Sequence, residues 1–432
     1  MSALGAAFVL AVLSAAQAWA QEGGKSFGPP APAAEVAAGD LATPPGIDET
    51  LAQAARAMIA TFPSLEAARR NLRAAGYEAD AAHWLRFPRI TASIETRNDS
   101  FDLRPDILVF QPLWSGGRIS AAGERSRAAR DVATATYGEV SFSLLERLAL
   151  TYYEIGRTAR LVAIYEDSVA EHRRLVESME RRVQQEVSPR TDLELALTRT
   201  AQAEQELAML RTQLAIARRR FTELSGLDAA ALAPPVYDPV AHHAVSEAMI
   251  DQAGACNPTF RRFTALVSLA EADRKASKAK IMPEVGAQYV RDRFGGDQVG
   301  VAVRAQTDGG LSAFALAEAA AARRDASQFD ALTAQRQLRE AVALSLIENS
   351  NARARIESSA RSADASLNVA RSFLRQFVAG RRTWLDVMNS VREAVAARSA
   401  LIEAETSAMS SSALIHLRAC AWLPGDPEGS AQ

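Results

Sequence analysis

The sequence contains few of the residues that build compact enzyme sites. Aromatic residues make up 6% of its 432 residues, and there are two cysteines and five histidines. The histidines do not have the spacing of a metal site, and neither a nucleophile elbow nor a paired-acid signature is present. The composition therefore argues against an enzyme and against a bound cofactor or metal. The histidines are His83, His172, His242, His243 and His416.

Excess charge of one sign is also missing. The net charge is -2, and acidic and basic residues are interleaved along the chain. A nucleic-acid surface would need basic residues gathered on one face or in one stretch. Nucleic acid is therefore excluded as a partner.

Long apolar runs are absent after the first 20 residues. Residues 1–20 form an uncharged apolar run that ends in Ala18-Trp19-Ala20, the small-x-small form of a signal peptide, although Lys and Arg are missing at its start. A membrane anchor is the alternative, but the run is short and no basic stop-transfer segment follows. Residues 21–49, rich in Pro, Ala and Gly, are predicted to be disordered. Because no later segment has the ~18 to 20 apolar residues of a spanning helix, any membrane crossing is expected to use strands.

The chain contains an internal repeat. Phe62-Pro63-Ser64-Leu65 is matched by Asn257-Pro258-Thr259-Phe260, and Phe87-Pro88 is matched by Met282-Pro283 at the same spacing. Repeats of this kind indicate a duplicated structural unit. The predicted division is a first repeat at 50–226, a linker with Pro234-Pro235 at 227–247, a second repeat at 248–425 and a tail at 426–432.

Two segments in each half have the pattern of strands. Residues 89–97 and 298–306 alternate apolar and polar or small side chains, while 104–112 and 284–292 are plausible partners. Alternation over about nine residues is typical of a transmembrane barrel strand with one apolar face. The alternation alone fits a small soluble sheet capping a helical bundle equally well.

The helical segments are longer than a globular domain needs. Residues 119–186 contain no proline, which predicts a helix of about 100 Å. The helix that returns from it has apolar residues in steps of three and four, a coiled-coil seam. Ser188-Pro189 marks the turn between the two helices. The seam residues are Leu207, Leu210, Leu214, Ala217, Phe221 and Leu224.

Strands that lie in lipid would force this chain to oligomerise. Edge N–H and C=O groups cannot remain unpaired in a bilayer, and about eight strands is the practical minimum for a closed barrel. Four strands per chain are too few. Several copies would therefore close one barrel around a common axis, with their long helices extending it as a hollow cylinder.

The order of these motifs resembles one known family. The segments 111–118 (QPLWSGGR), 182–193 and 380–389 (GRRTWLDVMN), with the repeated Phe-Pro-Ser-Leu signature, are similar to the TolC outer-membrane efflux family over about residues 50–425. Residues 182–189 (RVQQEVSP) are most similar to the branch that serves type I secretion of large adhesins.

The resemblance implies a mainly α fold with a small β part. Three chains would each contribute four strands to a twelve-stranded barrel in the outer membrane of a Gram-negative cell, with long antiparallel helices forming a periplasmic tunnel. The closed end would lie near residues 185–192 and 378–386, where a periplasmic adaptor and an inner-membrane ABC exporter would dock. A drug-efflux channel working with a drug pump is the first alternative. A periplasmic coiled-coil adaptor is the second, but it leaves the four strands unexplained.

The resemblance also assigns roles to residues at the closed end. By position, Asp386 would lie on an acidic constriction ring, with Asn389 one turn further along, and a ring of carboxylates binds cations. If the family is set aside, an equally good interpretation is that Asp386 is an acidic residue in the first turn of a helix. Arg382 would reach Thr191 and Asp192 of the neighbouring hairpin. The alternative interpretation is that these residues are solvated groups on a helical turn that contribute little individually.

Phe377 stands where other members of the family have Tyr, so it cannot donate a hydrogen bond and the closure is expected to be looser. Five further residues are predicted to lie in the turns between strands and helices. Gly permits the positive φ that such a turn needs, and Trp suits a membrane interface. These five are Trp114, Gly116, Gly117, Gly309 and Gly310.

Cys256 and Cys420 are the only thiols. The expected fold brings the start of the second repeat and the end of its last helix to the same level, in a compartment that permits oxidation. Two interpretations remain open: a disulfide, or two buried apolar cysteines.

Overall fold

The computed structural model describes residues 43–93, 106–242, 248–291, 296–305 and 311–424. The predicted fold class, mainly α with four strands, is confirmed. Each half runs helix pair, strand pair, very long helix and returning helix. The first half consists of α1 (Glu49–Thr61), α2 (Pro63–Trp84), β1 (Arg89–Ser93), β2 (Asp106–Trp114), α3 (Arg118–Gln184) and α4 (Arg190–Ser225), followed by a 3-10 turn at Ala229–Ala231. The second half consists of α5 (Ala248–Cys256), α6 (Pro258–Ala279), β3 (Glu284–Arg291), β4 (Asp297–Arg304), α7 (Ser312–Val378) and α8 (Trp384–Arg418).

A proline starts the second helix of each helix pair. Pro63 and Pro258 occupy the first helical turn, where a missing N–H costs nothing. Asn257 caps α6, because its side-chain oxygen accepts from the N–H groups of Thr259 and Phe260 at 3.0 and 3.4 Å. Phe62, at the matching position before α2, makes no side-chain cap.

The two long helices end in the same way. α3 and α7 each have 67 residues, about 100 Å of helix. After α3 the Val187 N–H donates to the Arg182 carbonyl at 2.9 Å, and after α7 the Arg381 N–H donates to the Gln376 carbonyl at 2.8 Å. These bonds need one left-handed residue, which is Glu186 in the first tip and Gly380 in the second. We call the turns at 185–189 and 379–383 the hairpin tips.

The difference between the two tips predicts opposite effects of two substitutions. Glu186 has φ 55° and Gly380 has φ 72°, a region that costs an L-residue about 1 kcal/mol. Glu186→Gly is therefore expected to stabilise the folded chain by about 1 kcal/mol, and Gly380→Glu to destabilise it by a similar amount. Unfolding midpoints in detergent measure both. Changes of the same sign in the two variants would contradict the assignment.

The strands form one antiparallel sheet in the order β1-β2-β3-β4. Ile90 pairs with Val109, Val109 with Tyr289, and Tyr289 with Val299, so all four point to one face. This mainly apolar face, called the apolar face below, carries Ile90, Ala92, Ile107, Val109, Val285, Ala287, Tyr289, Val299, Val301 and Val303, and the register adds the polar Gln111 and, at the end away from the helices, Arg291 and Asp297. The opposite face is mixed and carries Arg89, Thr91, Ser93, Glu284, Gln288, Gln298 and Arg304 among the apolar Leu108, Phe110 and Val290.

The main core lies between the helices. α3 packs on α2, α4, α6 and α8, and α7 packs on α6 and α8. Burial of apolar surface here is the main stabilising contribution. The seam predicted for the returning helix is present, since all of its residues are buried. The largest fully buried side chains include Leu51, Met58, Leu145, Leu148, Phe221 and Trp422.

The N-terminal prediction of disorder over 21–49 is wrong for residues 43–49. Ile47 is buried in the main core, and the Tyr152 hydroxyl donates to the Asp48 carboxylate at 2.9 Å. Burial, helped by the charge of Asp48, raises the pKa of Tyr152 far above its ordinary value. The apolar Ile47 side chain and the Asp48 acceptor tie this segment to α3, which a composition rich in Pro and Ala does not show.

The predicted linker also packs against the helices over its described part. Ala229 is buried in the main core, and Pro235 lies against Gly156 of α3 so closely that a Cβ there would be 2.4 Å from the proline ring. Residues 1–42, which include the predicted signal peptide, lie outside the described residues, as do 243–247 and 425–432. Of the helices in the described ranges, none carries an apolar stretch long enough to span a membrane.

Candidate functional site

An apolar cluster joins the two hairpin tips. Side chains from α3 and α4 of the first hairpin meet side chains from α7 and α8 of the second, so the two tips pack against each other. Burial of this cluster is what holds them together. We call these residues the tip cluster: Leu175, Met179, Ala196, Phe377, Trp384, Val387 and Met388.

Two arginines cover the tip cluster. The guanidinium of Arg182 lies 4.7 Å from the centroid of the Phe377 ring, and that of Arg382 lies 4.3 Å from the centroid of Phe373. Contacts of this kind contribute about 0.5–1 kcal/mol at exposed sites. Phe377 itself is 3% exposed. Phe377 lies inside the tip cluster under Arg182, and its part in the closure stays a prediction.

Arg382 binds within its own hairpin. Its Nε donates to Gln376 Oε1 at 3.3 Å, and its guanidinium lies 3.7 Å from the Asp386 carboxylate. Among the described residues of this single chain, no bond joins Arg382 to Thr191 or Asp192. Contact with these two residues is therefore left to a neighbouring copy and stays a prediction.

Asp386 lies in the first turn of α8. Thr383 caps that helix, its hydroxyl accepting from the Asp386 N–H at 3.2 Å, and negative charge suits this end of the helix dipole. The Asp386 side chain is 41% exposed. Asn389 is exposed one turn further and accepts from Arg392 at 3.5 Å. The first-turn role of Asp386 is present in the fold, and its role in a ring stays a prediction.

The turn between β2 and α3 has the geometry that its glycines allow. Gly116 has φ 59° and Gly117 has φ 87°. A Cβ on Gly116 would lie 2.3 Å from the Met282 side chain, so the turn packs closely against the start of β3. Trp114, the last residue of β2, is half-exposed. Gly309 and Gly310 of the matching turn lie outside the described residues.

Sequence reasoning missed a polar cluster at the helix ends of the strands. The Glu284 carboxylate, which is nearly buried, accepts from Arg89 at 3.1 Å and is 2.7 Å from the guanidinium of Arg118. Phe110 is 1% exposed beside them. Arg89 and Glu284 are 195 residues apart, so no local pattern could have joined them.

The sheet has two open edges among the described residues. β1 and β4 stand at the ends of the strand order, and each pairs on one side only. Ile90, Val301 and Val303 on the apolar face are each about two-thirds or more exposed. Unpaired edges and an exposed apolar face of this size mark a surface for another chain or for lipid.

Cys256 and Cys420 form a disulfide in the structure. Their Cα atoms are 6.2 Å apart, within the range of about 4.4–6.8 Å that such a bond requires. Cys256 ends α5, and Cys420 follows α8 with φ 61°. The bond closes a chain segment of 164 residues.

No group of three His, Cys, Asp or Glu side chains in the described part of the chain is arranged to hold a metal ion. His416 lies beside His242, and burial lowers the pKa of His416 below its ordinary value. His242 is buried and His416 is partly buried, so both belong to the packing of the chain.

Comparison with known proteins gives a family match in the first half of the chain. Residues 55–227 match the protein family described as outer membrane efflux protein. This range runs from α1 to just past the end of α4. No curated protein matches the chain in sequence.

The fold of the chain is similar to solved structures. The outer-membrane channel OprN has 20% sequence identity and a TM-score of 0.73, covering 92% of this chain and 98% of that chain. The outer membrane protein VceC from Vibrio cholerae has 17% identity and a TM-score of 0.71, covering 86% and 96%. The Campylobacter jejuni CmeC outer membrane channel has 10% identity and a TM-score of 0.74, covering 87% of each chain. At identities this low, the similarity shows a shared fold and nothing further.

Proposed function

We propose that this chain, an outer membrane efflux protein by its family match over residues 55–227 and by its TolC-like fold, is one third of a trimeric exit duct across the outer membrane of a Gram-negative cell. The duct is passive, and the chain is not an enzyme. Its strands form part of a barrel in the membrane, and its long helices form a tunnel in the periplasm.

The observation that carries this proposal is the open four-stranded sheet. In lipid, every backbone N–H and C=O must be paired, so the edges β1 and β4 have to meet other strands. Because all neighbours are antiparallel, β4 of one copy can pair with β1 of the next and keep that alternation around a ring. Eight strands leave an interior filled by side chains, whereas a duct needs more. Three copies provide twelve.

The helices support the same assembly. Large apolar side chains along α7 are exposed in the single chain, and copies packed around an axis would bury them. An isolated soluble chain rarely leaves so many apolar side chains uncovered on one element. The exposed apolar residues of α7 are Phe314, Leu316, Phe329, Leu332, Leu344, Ile347, Val369 and Val378.

Assembly is tested by fractionation and bilayer recording. The expected result is a detergent-stable trimer in the outer-membrane fraction that forms ion-conducting channels in planar bilayers. A periplasmic adaptor or scaffold, the alternative reading, would be found in the soluble periplasmic fraction and would not conduct.

We further infer that the hairpin tips close the periplasmic end. Asp386 and Asn389 would converge from three copies on the axis, and a periplasmic adaptor and an inner-membrane pump would bind at the tips and open them. The support is that both tips end in exposed turns beside the buried tip cluster. Because Phe377 is buried in that cluster and cannot donate a hydrogen bond, closure depends on the polar and charged side chains of the tips.

Loss of a gate charge is expected to raise conductance. In the assembly, Arg382 of one copy would reach Thr191 and Asp192 of the next, so Arg382→Ser or Asp192→Ala would loosen the ring of tips. We expect single-channel conductance to rise about two- to tenfold in either variant, because the tips form the narrowest part of the path. Arg361→Ser, an exposed arginine of α7 paired with Glu357, is the control. An unchanged conductance in both gate variants would contradict the proposed contact of Arg382 with Thr191 and Asp192.

The cargo is proposed from one segment. Residues 182–189 resemble the branch that serves type I secretion of large adhesins, so we propose an adhesin-like protein as cargo and an ABC exporter as pump. Drug efflux is the second candidate, favoured by the description of the matched family. A deletion strain separates them: loss of surface adhesin with unchanged drug susceptibility supports secretion, and the reverse result supports drug efflux.

A further inference from the structure

The helix ends of the four strands carry more positive charge than negative. Arg89 and Arg118 both contact the Glu284 carboxylate, at 3.1 and 2.7 Å. Arg304 lies directly across from Glu284 in the strand register and donates to Gln288 at 3.3 Å. Two guanidiniums thus contact the carboxylate and a third lies across from it in the register, so these four residues carry an excess of two positive charges. We call Arg89, Arg118, Glu284 and Arg304 the collar.

Phe110 fixes the geometry of the collar. Its ring is buried, with the guanidinium of Arg304 4.0 Å and that of Arg89 5.4 Å from its centroid. Gly286 makes room for this ring, since a Cβ there would be 2.4 Å from Phe110 Cζ. An aromatic face favours cations placed over it. The arginines are therefore positioned by packing as well as by the carboxylate.

The charge of the collar faces away from lipid. The register places Arg89, Glu284 and Arg304 on the mixed face of the sheet, opposite Val301 and its apolar neighbours. The carboxylate is nearly buried, whereas the side chains of Arg89 and Arg118 are 58% and 37% exposed. Because the negative group is covered and the positive groups are open, solution in the duct meets mainly positive charge.

We propose that the collar is a lumenal binding site for multivalent anions, located where the helical tunnel meets the barrel. The inference rests on the proposed trimer, in which three collars form one ring of six excess charges. Rings of arginine bind anions in pores, and charge of one sign inside a low-dielectric wall concentrates the counter-ion. Anionic groups of the cargo, such as carboxylates or phosphates, are the chemical class that this site retains.

The test is current block by hexacyanoferrate(II), a tetravalent anion, in planar bilayers holding the purified trimer. We expect block when the anion is added on the barrel side, weakening as salt rises because exposed charges are screened within ~10 Å at 0.1 M. Arg304→Gln leaves the ion pairs of Glu284 with Arg89 and Arg118 in place and is expected to weaken block on the order of tenfold. Arg304→Lys keeps the charge and is expected to retain block. Glu284→Gln adds net positive charge and is expected to strengthen it.

Arg173→Gln is the matched control, since this exposed arginine is balanced by Glu204 in the helical part. The inference is overturned if the anion does not block the current of wild-type channels. It is also overturned if the anion blocks the Arg304→Gln and Arg173→Gln channels to the same extent. Arg304→Lys failing in the same way as Arg304→Gln would also overturn it, because the effect would then come from packing. Wild-type protein that forms no channel contradicts the proposed function itself, an outcome distinct from conduction without block.

Discussion

Lysine in place of Val301 is expected to abolish assembly in the outer membrane. Val301 is in the middle of β4 on the apolar face and is 69% exposed in the single chain. A lysine on the lipid face of a barrel costs about 2–4 kcal/mol near the bilayer centre, and the trimer would carry three. A cost of that size exceeds what edge pairing of one strand can offset.

Gly300→Lys is the matched control. Residue 300 is the neighbour of Val301 in β4 and points to the opposite, mixed face, where an added Cβ meets no atom within 4 Å. The same charge is added one residue away, but on the opposite face of the sheet. We expect Gly300→Lys to yield a detergent-stable trimer in the outer membrane with altered conductance. Both variants assembling, or both failing equally, would contradict the assignment of the two faces.

Removal of the disulfide is expected to have the next largest effect. Cys256 and Cys420 close a segment of 164 residues, and cross-links over long loops stabilise by about 3–5 kcal/mol in the chain-entropy treatment. The bond also anchors α5, whose only buried apolar cluster in the described chain is small: Met249 with Ile415 and Ala419. Cys256→Ser with Cys420→Ser is therefore expected to lower the unfolding midpoint in detergent and to expose α5 to protease.

A second double variant separates the bond from the backbone at residue 420. Cys420 has φ 61°, which Gly adopts without strain and Ser does not. Cys256→Ser with Cys420→Gly should thus regain about 1 kcal/mol of the loss, and no more. Reductant should lower the midpoint of the wild-type chain and leave both double variants unchanged. Free thiols detected by alkylation of the purified wild-type protein without reductant would contradict the bond.

The helices and strands were predictable because their signals are local. A proline-free pattern over 119–186 became α3 at Arg118–Gln184, and alternation over 298–306 became β4 at Asp297–Arg304. Periods of 3.6 and 2 follow from backbone geometry, so neighbouring residues carry them. The buried Ile47 was missed because a single apolar residue in a Pro- and Ala-rich segment has no period.

The candidate site was predicted only in part. Position in the motif led to Asp386 in the first turn of α8 and to glycines in a left-handed turn, because caps and turns depend on residues three or four apart. The partners of Phe377 and Arg382 were not predictable. Both depend on how two hairpins about 190 residues apart in sequence pack at one end, which the contacts of Arg182 and Gln376 decide.

The sequence by itself determined the duplication, the lengths of the helices, the number of strands and the pattern of their apolar face, since each is a property of consecutive residues. Tertiary structure alone decided which side chains meet. Glu284 pairs with Arg89 across 195 residues of sequence only because the register of β1, β2 and β3 brings them to one end of one face. A slip of one residue would move those side chains to the apolar face of the sheet. Strand register is a long-range choice made by the whole sheet, and the charge of the collar follows from it.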